Sequence, residues 1–191
     1  MGRPSAGTLF QLKKNLKRNE DNIGRAEYLG DDCIWQIGDV RQWPLSTQSS
    51  HSARRLKVTM SELVTLPEVQ VMYVESGTGI AGASEAFDRL EARFASLRGR
   101  KFYGTFQRPS GPYRACTAVE PNDDVPALEL KTWVIPGGKY SRRKLTDWQA
   151  RIPEIGAAFQ SMAQEAEPDS NRPCVEFYRS GRELVMYLPV K

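Results

Sequence analysis

From residue 57 onward the apolar positions of the chain switch between two periods. VQVMYV (69–74) alternates with period two and reads as a strand, closed by Gly77 and Gly79. In ASEAFDRLEARFASLRG, residues Phe87, Leu90, Phe94 and Leu97 recur at spacings of 3, 4 and 3. That is the apolar stripe of an amphipathic helix, with Ser84 placed to cap its start and Gly99 at its stop. KFYGTFQ and YRACTAV then read as two strands separated by the turn-rich RPSGP.

The same order returns in the second half. LELKTWVI (128–135) reads as a strand that Pro136-Gly137-Gly138 ends, and Ile152, Ile155, Phe159 and Met162 repeat the 3, 4, 3 spacing. Pro153 suits the first turn of this helix, where its missing N–H does no harm. EAEPDSNRP reads as a loop, and CVEFYRSGRELVMYLPVK as two strands joined at Ser180-Gly181. A unit of three strands and one helix is too small to bury a core by itself. The pattern therefore predicts an α+β fold of tandem strand-helix-strand-strand repeats, about 57–120 and 121–191, related by pseudo-two-fold symmetry around a central ligand cleft. Residues 1–56 fit neither repeat and are expected to form an extension packing on or preceding the 57–191 domain. They hold a short amphipathic stretch on Leu9, Leu12 and Leu16, the strand-like DDCIWQIGDV and the linker STQSSHSARR.

One position breaks the pattern. Glu176 stands between Val175 and Phe177 in a segment whose composition suits a half-buried sheet. Either it is a charge that discourages pairing at a sheet edge, or it faces the groove between the halves.

Composition narrows the chemistry open to that groove. At 191 residues, 40% hydrophobic and 26% charged, the chain has the make-up of an ordinary globular protein with one main core. No apolar run approaches the roughly 18 residues of a membrane span, and the N-terminus lacks a signal peptide's apolar core, which places the protein in the cytoplasm. Cys33, Cys116 and Cys174 are scattered, and His51 is the single histidine. Disulfide frameworks, zinc sites and a Ser-His-Asp triad are not indicated, so no metal and no cofactor is expected, and any chemistry must use carboxylates, phenols, indoles or thiols. The net charge of +4 is spread through clusters at Lys13-Lys14-Lys17-Arg18, Arg54-Arg55-Lys57 and Arg142-Arg143-Lys144. None accompanies a DNA-reading motif, so no sequence-specific nucleic-acid partner is expected.

IPGGKY (135–140), the helix after it, RPCVEFYRS with its Glu-x-Tyr, and the terminal MYLPVK resemble, in that order, the gyrase-inhibitor-like (GyrI-like) small-molecule-binding family. That family also supplies effector domains of AraC- and MerR-type regulators; the resemblance covers roughly residues 60–191. It implies a cleft for bulky aromatic, often cationic, molecules, with Glu176 facing it as anchor. Tyr178, Tyr103, Trp133, Trp148 and Tyr187 are the candidate ligand-binding rings, which offer stacking and cation–π contact. The chain departs from the family in carrying SRRKLTDWQARIP where a Gly-Pro-Tyr element is common. Some stand-alone members resemble hydrolases that open the strained cyclopropane of DNA-alkylating natural products. On that alternative Glu176 is the general base and Tyr140 a catalytic helper. A gyrase-interacting protective role is a third implication of the resemblance, with DNA gyrase as partner.

Overall fold

The computed structural model describes residues 61–108 and 111–191; the expectations for residues 1–56 and the two N-terminal basic clusters lie outside the described residues. Eight strands form one antiparallel sheet: β1 (Glu62–Leu66), β2 (Val69–Glu75), β3 (Phe102–Phe106), β4 (Tyr113–Ala118), β5 (Lys131–Ile135), β6 (Gly138–Thr146), β7 (Cys174–Tyr178) and β8 (Glu183–Pro189). Among the described residues three α-helices accompany it: α1 (Ala83–Glu91), the single turn α2 (Val125–Leu128) and α3 (Ile152–Glu165). The architecture is thus a curled antiparallel sheet with a few helices, an α+β fold.

The strand order is β1-β6-β8-β7-β3-β4-β2-β5. Residues 69–118 supply β2, α1, β3 and β4, and residues 138–189 supply β6, α3, β7 and β8. The two groups meet at the β3–β7 pairing, where Gly104 lies opposite Glu176. Glu176 therefore sits at the middle of the sheet, and the edge-charge reading falls. The outer strands are exchanged: β1 pairs with β6, and β5 pairs with β2.

Three expectations need correcting. LELKTWVI does not open the second group; its strand portion, β5, adds to the edge of the first. The residues after Gly138, read from sequence as a polar stretch with three cations, form the nine-residue strand β6. Alternation explains why this was hidden: Tyr140, Ser141, Arg143 and Leu145 are buried, so a guanidinium occupies a position where the pattern calls for an apolar residue. The first helix is also shorter than its stripe. It ends at Glu91, and i→i+3 bonds from Arg93 and Phe94 N–H to the Leu90 and Glu91 carbonyls tighten the chain into turns. Phe94 and Leu97 still reach the core from those turns.

Both longer helices cover the same sheet face. Phe87 and Leu90 of α1 pack with Phe102, Tyr113 and Ala115, and Phe159 and Met162 of α3 pack with Leu184, Met186 and Leu188. The strand register puts those sheet residues on the side of Glu176. The other side carries a separate cluster that includes Tyr103, Tyr140, Trp133, Phe177 and Tyr187.

Arg172 ties the loop before β7 to the strands around it. Its Nε donates to Asp169 Oδ2 at 2.7 Å, Nη1 to the Gly137 carbonyl at 3.1 Å, and Nη2 to the carbonyls of Lys139 at 3.1 Å and Val190 at 2.8 Å. Its guanidinium lies 4.9 Å from the centre of the Tyr140 ring. Gly138 is required beneath it, since its φ is +121° and a Cβ there would stand 2.5 Å from Arg172 Nη1. A lysine cannot reproduce this fork, because its donors radiate from one atom. Arg172→Lys is expected to lower unfolding free energy in urea by about 1–3 kcal/mol, the cost of leaving part-buried carbonyls unmatched.

Candidate functional site

The β3–β7 register that centres Glu176 also decides what surrounds it. Across the ladder Gly104 faces Glu176 on β7 and Ala115 on β4, and its neighbour pair Phe106–Tyr113 lies one step along the same face. Tyr178, two residues beyond Glu176 on β7, shares that face by alternation. Both phenols turn to the carboxylate: Tyr113 OH donates to Glu176 Oε2 at 2.9 Å and Tyr178 OH donates to the same oxygen at 2.8 Å. The two hydroxyls stand 3.3 Å apart.

This grouping is possible because residue 104 has no side chain. A Cβ at Gly104 would overlap the Tyr113 hydroxyl and would lie 2.6 Å from Glu176 Oε2. Carboxylate and phenol thus fill the space above a glycine at the centre of the sheet. Aromatic rings close the site. Phe87 of α1 meets Tyr178 edge-on at 5.2 Å and Tyr113 at 6.5 Å, and Trp148, after β6, meets Tyr178 at 5.1 Å. The Trp148 indole N–H is held by the Ser180 carbonyl at 3.2 Å, which fixes its ring against Tyr178.

Glu176 is only 6% exposed, and no ion pair reaches it from any described residue. Burial pushes its pKa up, and the hydrogen bonds from Tyr178 and Tyr113 hold it back only in part. Burial, together with the adjacent carboxylate, drives both phenols well above their ordinary range, so they remain proton donors. Arg143, the one cation of the 142–144 run on this face, is already used: it pairs with Glu165 of α3 at 2.5 Å and donates to Ser61 and to the Ala158 carbonyl.

The sequence-predicted site residues divide between the faces. Glu176, Tyr178 and Trp148 come together on the helix-covered side. Tyr103, Trp133, Tyr140 and Tyr187 lie across the sheet, in the second aromatic cluster. There Tyr103 stacks on Phe177 at 5.1 Å, Tyr140 meets Tyr187 edge-on at 6.3 Å, and Tyr140 OH donates to the Pro136 carbonyl at 2.7 Å. Arg114, held by Glu75 at 3.0 Å, already lies 4.9 Å over Trp133 and 5.1 Å over Tyr73. Sequence reasoning missed Tyr113, Gly104 and Phe87. Only the cross-strand register brings Tyr113 to Glu176, although a glycine inside KFYGTFQ was a legible sign of close approach at that strand.

Among the described residues no group of three or more His, Cys, Asp or Glu is placed to hold a metal ion, and no helix is long and apolar enough to cross a membrane. No family model matches the chain, and no curated protein matches it. Solved structures do. An integron cassette protein from the mobile metagenome of Vibrio cholerae aligns at a TM-score of 0.55 with 15% identity, covering 70% of this chain and 97% of its own. The two proteins share a fold. SAV2435 bound to tetraphenylphosphonium aligns at a TM-score of 0.44 with 15% identity, covering 69% of this chain and 93% of its own. A hydrolase from Listeria innocua aligns at 0.44 with 12% identity, covering 69% and 92%. Alignments at these scores carry no functional argument for the chain.

Two outcomes follow from the geometry. Gly104→Ala should lower stability by about 1–3 kcal/mol in urea unfolding, because the added methyl must displace a phenol or the carboxylate from a filled site. The second concerns pH. A carboxyl whose folded pKa is raised contributes stability that is complete below the unfolded value of 4.5 and is lost as pH rises through the folded value. Thermal melts between about pH 4 and pH 8 should therefore show the parent losing stability relative to Glu176→Gln as pH increases.

Proposed function

We propose that the protein binds a bulky aromatic cation against the helix-covered face of the sheet, with the Glu176 carboxylate as the polar anchor and Tyr113, Tyr178, Trp148 and Phe87 as the surrounding rings. The observation that carries this reading is the carboxylate itself, buried at the sheet centre, bonded to two phenols and matched by no cationic side chain among the described residues. Burying an ionised carboxylate costs several kcal/mol unless a cation answers it. Phenolic donors recover part of that cost and leave the charge unneutralised. A ligand cation would supply the missing partner, and the rings would add stacking and cation–π attraction of about 0.5–2 kcal/mol each.

The resemblance to GyrI-like proteins supports the same assignment, since it places Glu176 at a cleft between two strand-helix-strand-strand units. The strand order is compatible with a pseudo-two-fold axis passing between β3 and β7. On this reading the cleft lies between α1 and α3, and entry of a ligand displaces Tyr178 from its place between Phe87 and Trp148.

Hydrolysis in the same cleft is the second reading. What favours it is the upward shift of Glu176, which moves the carboxyl toward the range of a working general base, beside two phenols able to donate protons. Tyr178 or Tyr113 would then serve as the helper, because Tyr140 lies on the other face.

Isothermal titration with ethidium, a flat aromatic cation, tests the binding reading. Glu176→Gln should weaken the Kd by about 10- to 100-fold, the equivalent of roughly 1.4–2.7 kcal/mol. Affinity of the parent should fall as pH drops through the raised pKa of Glu176, and that dependence should vanish in the variant. Equal affinity in parent and variant would overturn the assignment of Glu176. A neutral strained-ring aromatic that gains one water in the presence of the parent, but not of the variant, would establish the hydrolase instead.

A further inference from the structure

Two residues before Glu176, on the same face of β7, Cys174 borders an open cleft of about 220 Å³. Arg108, Asp169, Ser170, Arg172 and Leu188 also line it. The cleft is built where the end of β3 meets the 169–172 turn, and the Gln107 side chain fastens the two by donating to the Ser170 carbonyl. The turn is held in shape from within: Asp169 accepts from the Asn171 N–H at 3.0 Å and from Arg172 Nε at 2.7 Å.

The charges of the lining do not cancel. Arg172 answers Asp169 and directs its remaining bonded donors to backbone carbonyls. Arg108 has no ion pair with any described residue, and its Nη1 is buried without a hydrogen-bond partner among them. Burial drives the Cys174 thiol up to about 12, so it adds no negative charge. One guanidinium is therefore left over. An unmatched buried N–H on a charged group costs more than one on a neutral group. A planar guanidinium fork matches a carboxylate in two-point geometry. Walls from Leu188 and Cys174 suit a short apolar body behind that carboxylate, and the volume limits it to a small molecule.

We propose that this cleft is a second ligand site, distinct from the Glu176 site and of opposite polarity, which takes a small organic monocarboxylate on Arg108 with Ser170 beside it. Its occupant need not be the occupant of the Glu176 site. A carboxylate here lies along the same strand as a carboxylate side chain, so occupation of this cleft and ionisation of Glu176 oppose each other.

Sodium benzoate is the probe, titrated at constant ionic strength against the full chain and followed by heteronuclear NMR. Saturable shifts should concentrate on the amides of 169–172 and Cys174 and leave those of 115–117 unmoved. Arg108→Gln should weaken binding at least 10-fold with the circular dichroism spectrum unchanged, and Arg108→Lys should weaken it less. Glu176→Gln should bind benzoate at least as well as the parent, which separates this site from the ethidium site. Inorganic phosphate should bind more weakly than benzoate. Absence of saturable shifts at 169–172 and Cys174 in the parent, or equal benzoate affinity in a folded Arg108→Gln, overturns the proposal. Phosphate outcompeting benzoate overturns the choice of ligand class.

Discussion

A carboxylate at the middle of an eight-stranded sheet, held by two phenols over a glycine, is the constraint to which the surrounding sequence answers. Oε2 of Glu176 accepts from Tyr113 and Tyr178 only if β3 and β7 pair in the register that sets Gly104 opposite Glu176, and only if residue 104 has no Cβ. A slip of one residue would turn Glu176 toward the other face, among Tyr103, Tyr187 and their neighbours, and would bring Val175 and Phe177 under the helices. The register that joins the two groups of strands is thus tied to the placement of a single charge. Phe87 and Trp148 then need to arrive from elements on opposite sides of that seam, and they do so on Tyr178.

The energetics of this arrangement point away from stability as its purpose. Hydrogen bonds to a charged acceptor contribute about 1.5–3 kcal/mol each, whereas taking a carboxylate out of water without a counter-ion costs several kcal/mol. The upward shift of Glu176 states the same balance in another form: the environment favours the neutral acid more than water does. A leucine or methionine in that volume would pack without such a deficit. The contrast with Arg143 is instructive, because that buried cation on the same face has a carboxylate, a hydroxyl and a carbonyl as partners. The fold supplies a counter-ion to one buried charge and none among the described residues to the other, and the proposed ligand site rests on that imbalance.

Much of this was legible in the sequence wherever the hydrophobic period was clean. VQVMYV, KFYGTFQ, YRACTAV and the terminal hairpin are strands, and Ile152, Ile155, Phe159 and Met162 mark a helix that begins at Ile152 with Pro153 in its first turn. Glu176 stood out because it interrupted such a pattern. β6 was illegible because Arg143 takes an inward position: its stem and guanidinium are buried by pairing with Glu165, a contact between residues 22 apart that no local window contains. The division of the aromatic residues between faces was hidden for a related reason. Alternation within a strand gives two sets, but which set lies under the helices depends on pairings between strands distant in sequence. Tyr103 and Tyr113 look equivalent in the sequence, and the ladder puts them on opposite sides.

The exchanged edge strands explain how a site of this kind can stay intact. β1 precedes the first group yet extends the second, and β5 precedes the second yet extends the first. Neither group therefore holds its complete set of four strands unless the other is in place. Local opening of one group would strip an edge strand from its neighbour as well as break the β3–β7 seam, so partial unfolding around Glu176 forfeits contacts on both sides at once. Because the seam and both edges fail together, the least costly motion left to the site is movement of side chains. Tyr178, half-buried and bounded by rings at 5.1 and 5.2 Å, is the residue positioned to make it. The paired backbone fixes the carboxylate, and under the proposed binding role the aromatic side chains around it, Tyr178 first, are what a ligand would have to move.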